Sequence, residues 1–277
     1  MNESKRVYFD TMVLNKIAYI DNYSFIFERM KENGYILCIS EVNIFEILRD
    51  QSDLYNIDKI ITMLQQANKI NNLVILPYVS EILVNYLLSD DLIYATHDDI
   101  IKDVINDETK EFKIDKNSIE TLTYEFKLFC KKFKDEIKKF ELTENCKNCE
   151  KKYCNLRIQF VSKLIALIWL DKDFCFFNND IVKLFWEKNK IKNVYDLEKI
   201  IDENNRILNL NSPYMNYARM VVSQRKKVSN GVFLDGAHMC FLEYVDIMVS
   251  DDNEFKNLKN NYCLDEYLEL LNIKLVY

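Results

Sequence analysis

The chain has 277 residues, 49% hydrophobic and 13% aromatic, with 37 basic against 44 acidic side chains for a net charge of −7. That length and apolar share require a globular core, in one elaborated domain or two small ones, while the acidic balance argues against a long, passive nucleic-acid platform. No apolar run approaches the ~20 residues of a bilayer span, and the polar opening Met1 to Arg6 is followed by an apolar segment broken at Asp10, Asn15 and Lys16; the chain therefore reads as soluble and cytoplasmic, with no membrane partner.

Three Gly and two Pro leave few tight turns, so helices should supply most of the mass. The first element is a β-prone run at 6–9 that ends in Asp10, after which Thr11 begins a helix through Met12, Val13, Leu14, Ile17 and Ala18. Asp10 stands at that junction, where the ordinary role of an aspartate is to cap the helix. A second helix covers 23–32, a strand 35–39, and Ser40 caps the helix EVNIFEIL, with Asn43 where a full capping box would carry Glu or Gln. Glu46 is the anomaly in that helix: Ile44, Phe45 and Ile47 surround it in sequence, and a buried carboxylate needs a partner. A helix at 57–70, a strand at 73–76 and a helix at 80–88 complete this part.

From about residue 90 the pattern changes to charged helices, at 118–140, 157–169, 195–208 and 214–227, with no clear strand. The expected organisation is thus an α/β core from 1–89 and 230–277 and an all-helical insertion from 90–229. Of the eight cysteines, Cys38, Cys130, Cys175, Cys240 and Cys263 stand alone in apolar or helical contexts, the usage of a reducing compartment. Cys146, Cys149 and Cys154 instead form a C-x2-C-x4-C arrangement within the insertion. They are candidates for a structural Zn²⁺ site, against free thiols or a labile disulfide, and a fourth ligand is not evident. Lysines at 131–139 and 147–152 read as solvated faces; Arg225, Lys226 and Lys227 are better placed to hold phosphates.

The segment 230–255, NGVFLDGAHMCFLEYVDIMVSDDNEF, concentrates helix, strand and carboxylates. Asp235 is expected to open a helix running through Met239, Cys240, Leu242 and Tyr244, followed by a buried strand at 247–249 and then Ser250, Asp251 and Asp252. Acids at the carboxyl end of a strand lie where open α/β sheets bind ligands. His238, three residues after Asp235, shares its helix face and suits a supporting or phosphate-contacting role, because Mg²⁺ avoids imidazole. Asp246 fits a shaping role at the start of the strand, and Asp251 is an alternative to Asp252.

Acids at Asp10, Glu46, Asp235 and Asp252, in YFDTMVLN, SEVNIFEIL, LDGAHMCFLEYVD and IMVSDDNEF, resemble the pattern of PIN-domain nucleases. The resemblance covers roughly 5–80 and 230–277. It implies a three-layer fold with a central, mostly parallel sheet, and four acids (Asp10, Glu46, Asp235 and Asp252) holding Mg²⁺ or Mn²⁺ to cleave phosphodiester bonds, in RNA more often than DNA. Ser250 would stand for the family's Thr, with Thr11, Asn15, His238 and the 225–227 patch toward substrate. By analogy with the family, toxin or phage-defence roles and a homodimer would follow. Hard cations do prefer carboxylate oxygens, and metal-assisted hydrolysis needs no protein nucleophile. This agrees with the lack of a Ser-His-Asp set, a G-x-S-x-G turn or a Walker loop in a chain with two His and three Gly. A second reading stands beside it: a non-catalytic PIN-like scaffold whose helical insertion binds a regulatory protein partner.

Overall fold

The computed structural model describes residues 4–49, 54–87, 116–141, 155–172, 180–204, 218, 230–253, 255–256, 258 and 260–273. In chain order the elements are β1 (Lys5–Phe9), α1 (Thr11–Ala18), α2 (Ser24–Glu32), β2 (Tyr35–Ile39), α3 (Glu41–Arg49), α4 (Leu54–Lys69), β3 (Leu73–Ile75) and α5 (Val79–Leu87). Then follow α6 (Lys116–Glu141), α7 (Asn155–Trp169), α8 (Asp180–Lys188), α9 (Val194–Glu203), α10 (Asn230–His238), a 3-10 turn (Met239–Phe241), β4 (Ile247–Val249), β5 (Asn261–Tyr262) and α11 (Leu264–Leu270). The chain divides into two units, the first comprising 1–76, 97–119 and 242–277, the second 77–96 and 120–241.

The first unit is α/β around one sheet of order β3-β2-β1-β4-β5, every neighbouring pair parallel. Parallel strands are covered on both faces and read as continuous apolar runs. Accordingly Val7, Tyr8, Phe9, Leu37, Cys38, Ile39 and Val249 have no exposed surface, each large apolar side chain among them contributing roughly 1.5–3 kcal/mol. From β1 the chain winds outward through β2 to β3, with α1 and α2 both packed on α4. The later strands β4 and β5 lie on the other side of β1, so the winding direction reverses between β1 and β4. In α11, Tyr267 meets Phe9 edge-on at 5.5 Å and Tyr35 at 6.1 Å between ring centroids, the preferred geometry for aromatic pairs.

Parallel register brings the strand ends level. Phe9 pairs with Val249, Tyr8 with Cys38 and Ile39 with Ile75. Asp10, Ser40 and Ser250, each the residue after its strand, therefore leave the sheet side by side at its carboxyl edge.

All the described elements of the second unit are helical. There α7 packs on α9 and α5, and α5 on α8. Lys163 of α7 reaches Glu198 at 2.7 Å and Asp202 at 2.8 Å on α9, and Asn204 Nδ2 donates to the Leu87 carbonyl at 2.5 Å. Among the described residues no helix is long and apolar enough to cross a membrane.

Several elements differ from the sequence expectation. Asp235 does not open its helix: α10 begins at Asn230, five residues earlier, because Gly231 costs only ~1 kcal/mol in a helix that adjoining residues propagate. The same helix stops at His238 and tightens into the 3-10 turn instead of continuing through Tyr244. Both α5 and α10 group with the second unit, whereas the sequence pattern assigned them to the core. Elements α8, α11 and β5 carry no expectation at all. Apart from the buried, helical Ala218, the helix expected at 214–227 and the candidate residues Cys146, Cys149, Cys154, Arg225, Lys226 and Lys227 lie outside the described residues.

Candidate functional site

The carboxyl edge of the sheet in the first unit gathers buried polar side chains, and each has a local reason to be there. Asp10 caps α1 from an extended backbone (φ −67°, ψ 167°), its Oδ1 accepting from the Val13 N–H at 2.8 Å. Capping is its ordinary role, and it keeps that role. Its other oxygen, Oδ2, accepts a short hydrogen bond from the Ser250 hydroxyl, and its own N–H donates to the Val249 carbonyl at 3.1 Å. A carboxylate only 5% exposed is thus held from two elements, the condition for keeping charge out of water.

Ser250 carries the network onward. Its Oγ accepts the Asp252 N–H at 3.1 Å, a serine turn that folds the chain back after β4. One hydroxyl therefore stands between the Asp10 carboxylate and the backbone of Asp252, whose side chain is half-buried. Asp251 is directed elsewhere: Oδ2 pairs with Lys16 of α1, and Oδ1 accepts the Leu264 N–H at 2.9 Å at the start of α11. Partial burial opposes ionisation of Asp251, but the Lys16 hydrogen bond, the Leu264 N–H and the nearby lysine charges outweigh it and hold the carboxyl below its usual range. Of the two neighbouring acids, Asp251 is thereby committed to an ion pair and a helix start.

A second network locks β1 to β2. Tyr8 Oη lies 2.7 Å from Ser40 Oγ. Asn43 Oδ1 accepts the Ser40 N–H at 3.0 Å and lies 3.2 Å from Ser40 Oγ, while Nδ2 donates to the Phe9 carbonyl at 3.1 Å and to Thr11 Oγ1 at 3.2 Å. The Asn43 N–H returns to Ser40 Oγ at 3.4 Å, so asparagine closes the reciprocal capping arrangement that glutamate or glutamine usually closes. Burial pushes the Tyr8 phenol well above its ordinary range; the Ser40 hydrogen bond opposes this, and the negative charges of Glu46 and Asp10 add to it. Glu46, 9% exposed on α3, and Asp10 thus bear on one neutral hydroxyl.

Of the residues expected from the sequence, Asp10, Thr11, Glu46, Ser250 and Asp252 belong to this edge of the first unit, with Asn15 half-buried on α1. Asp235, half-buried, and His238, buried, lie on α10 of the second unit. Asp246 shapes the start of β4, its Oδ2 accepting the Arg6 N–H at 2.7 Å. Sequence reasoning missed Tyr8, Asn43 and Glu41 as buried members of the region. A tyrosine inside an otherwise apolar central strand was the available signal for the first.

Among the described residues no three His, Cys, Asp or Glu side chains form a group that could hold a metal ion. The donors present are carboxylate oxygens, the type a hard cation takes, and Mg²⁺ commonly needs only one or two of them beside waters and substrate phosphate. Asp10 and Glu46 therefore fit such an ion by donor chemistry. No family model matches the chain, and neither a curated protein nor a solved structure matches it.

Proposed function

We propose that the chain is a Mg²⁺- or Mn²⁺-dependent endonuclease of PIN-like fold that hydrolyses phosphodiester bonds, with single-stranded RNA as the substrate. One observation carries the reading: β1 and β4 are neighbours in register, so Asp10 and the Ser250–Asp252 turn meet, hydrogen-bonded, where the winding direction of the sheet reverses. Open α/β sheets bind ligands outside the carboxyl ends of their strands at that point. The acid-rich, glycine-poor chain has no Walker loop to bind phosphate there, which leaves cation-mediated chemistry as the match for its oxygen donors.

In this reading Asp10 and Glu46 are the carboxylates that would hold the ion, with waters and substrate phosphate completing its shell, and Asp252 is tied to Asp10 through the Ser250 hydroxyl. Such a cation would supply Lewis acidity and lower the pKa of water. The protein's own part is orientation. The Val13 N–H and Ser250 hydroxyl fix both oxygens of Asp10, as partners of metal-binding carboxylates generally do. The neutral Tyr8 hydroxyl and the Asn43 bridge hold the β1 and β2 ends together, so the acids they carry keep their spacing.

The test is cleavage of 5′-labelled single-stranded RNA and DNA by the purified full chain with Mg²⁺, with Mn²⁺ and with chelator. Metal-dependent cutting that disappears in Asp10→Asn is the expected result. Failure of the wild type to cut either polymer with either metal would overturn the proposal.

A further inference from the structure

We infer that a lysine-lined cleft on the second unit binds the phosphate backbone of single-stranded RNA. The cleft measures about 370 Å³ and is rimmed by Lys172, Lys183, Lys190 and Lys192, with Glu187 as the single acid in its lining. In a chain whose acids outnumber its bases, the lining carries four lysines against one acid, with Asp180 outside it paired to Lys183 at 3.1 Å. The lysines converge from three places: Lys172 from the turn after α7, Lys183 from α8, and Lys190 and Lys192 from the link between α8 and α9. A helix end attracting its own cations accounts for Lys190, not for the arrival of Lys172 and Lys192.

Backbone conformation gives a second, independent observation. Helix α8 ends in a Schellman motif, with the Ile191 N–H donating to the Trp186 carbonyl at 2.9 Å and the Lys190 N–H to the Glu187 carbonyl at 3.1 Å. Lys190 occupies the left-handed position of that motif, at φ 54°. The other non-glycine residues with positive φ among the described residues are Asn22, Asn71, Asn260 and Asn272. Asparagine tolerates that conformation and lysine does so poorly. At this one turn the chain carries a cation in a strained position, on the rim of the cleft.

The chemistry of the lining selects the ligand. Ammonium groups act as point charges without the planar fork that reads one phosphate bidentately, which suits sequence-independent binding along successive phosphates. The floor is apolar, made by Ile191 and by Trp186, whose indole Nε1 is tied to the Leu170 carbonyl at 2.6 Å and whose ring carries Lys172 Nζ 5.1 Å from its centroid. The match is to the charged backbone of a strand: Trp186 and Ile191 are only 4% and 8% exposed, so the indole supports Lys172 and offers no stacking face. The volume is at the small end for ligand sites, about 300–1,000 Å³, room for a nucleotide or two of a longer strand. The assignment of RNA as that strand rests on the nuclease reading; the polyanion site does not.

The experiment uses the full chain as Asp10→Asn, in chelator, and measures binding of a fluorescein-labelled single-stranded RNA by anisotropy between 50 and 300 mM salt. The triple variant Lys183→Ala, Lys190→Gly, Lys192→Ala should bind at least roughly tenfold more weakly at low salt, with a log–log salt slope shallower by about 2, at ~0.7 for each phosphate no longer neutralised. Lys190→Gly alone should weaken binding while leaving the melting temperature equal or higher, since it relieves the strained turn; this separates binding from folding. Unchanged affinity and slope in the triple variant would overturn the inference, even if the wild type cuts RNA. Preferential capture of inorganic polyphosphate or an acidic peptide over RNA through the same lysines would overturn the choice of ligand. Weakened RNA binding in the triple variant alongside a wild type that cuts nothing would sustain the cleft and remove the nuclease.

Discussion

The two ends of the β1–β4 strand pair each carry an aspartate that bridges the strands, and the contrast between them is instructive. At the amino end, Asp246 is exposed and accepts the Arg6 N–H at 2.7 Å. At the carboxyl end, Asp10 is 5% exposed and is held by Val13 and Ser250. Water can satisfy Asp246 if its partner is removed, so its hydrogen bond is worth only about 0.5–1.5 kcal/mol net. Asp10 has no such recourse. The same residue type across the same pair of strands is a surface tie in one place and a preorganised carboxylate in the other, and burial makes the difference.

The largest expected effect divides these two aspartates by activity. Asp10→Asn should reduce metal-dependent RNA cleavage by at least about 100-fold, exceeding the ~10–100-fold carried by a mere partner of a metal ligand, while Asp246→Asn should stay within roughly twofold of wild type. Equal losses in both would erase the contrast. Next, Asn43→Ala removes a side chain with no exposed surface and strips buried partners on Ser40, Phe9 and Thr11. It should cost about 2–4 kcal/mol, read as faster hydrogen exchange at the β1 and β2 amides, because one global unfolding energy is ill-defined for a chain of two units.

Ser250→Ala should lower cleavage by about 10–100-fold and destabilise the first unit by about 1–3 kcal/mol, because a buried Asp10 oxygen loses its donor, and Ser250→Thr, which keeps the hydroxyl, should restore most of both. The smallest effect concerns Lys16 and Asp251, whose side chains are 51% and 19% exposed. Asp251 titrates below its usual range in the folded protein, whereas the unfolded value is near ~3.9. The pair's contribution is therefore present above about pH 4 and lost as pH falls through the folded value. Lys16→Met should lower the melting temperature at pH 6 by an amount corresponding to less than ~1 kcal/mol, and by progressively less as the pH falls below about 4. A pH-independent difference would assign the loss to packing.

Much of the first unit was legible from residues alone, for physical reasons. Buried parallel strands write themselves as apolar runs, so VYF, YILCI and IMV stood out, and the Asp10 and Ser40 junctions followed from helix-cap chemistry. Elements without such a signature escaped. The two residues of β5, Asn261 and Tyr262, contain no apolar run, and α11 is capped by Cys263, a residue outside the usual cap set, although Glu266 accepts its N–H at 3.0 Å. Asn43 was read as an imperfect cap, because nothing local reveals that its amide also reaches Phe9 and Thr11 across more than thirty residues of chain. The lysine cleft was invisible for a similar reason: its members arrive from separate segments and do not form a run.

The sheet has one further consequence, set by its margins. Among the described residues both outermost strands are abbreviated, β3 to three residues and β5 to two. A flanking strand offers unsatisfied main-chain groups on which a foreign strand could dock, and a stub of this length offers few. The long apolar strands, most prone to stack into fibrils, are confined to the interior of the array, which leaves little template for self-propagating aggregation from its sides.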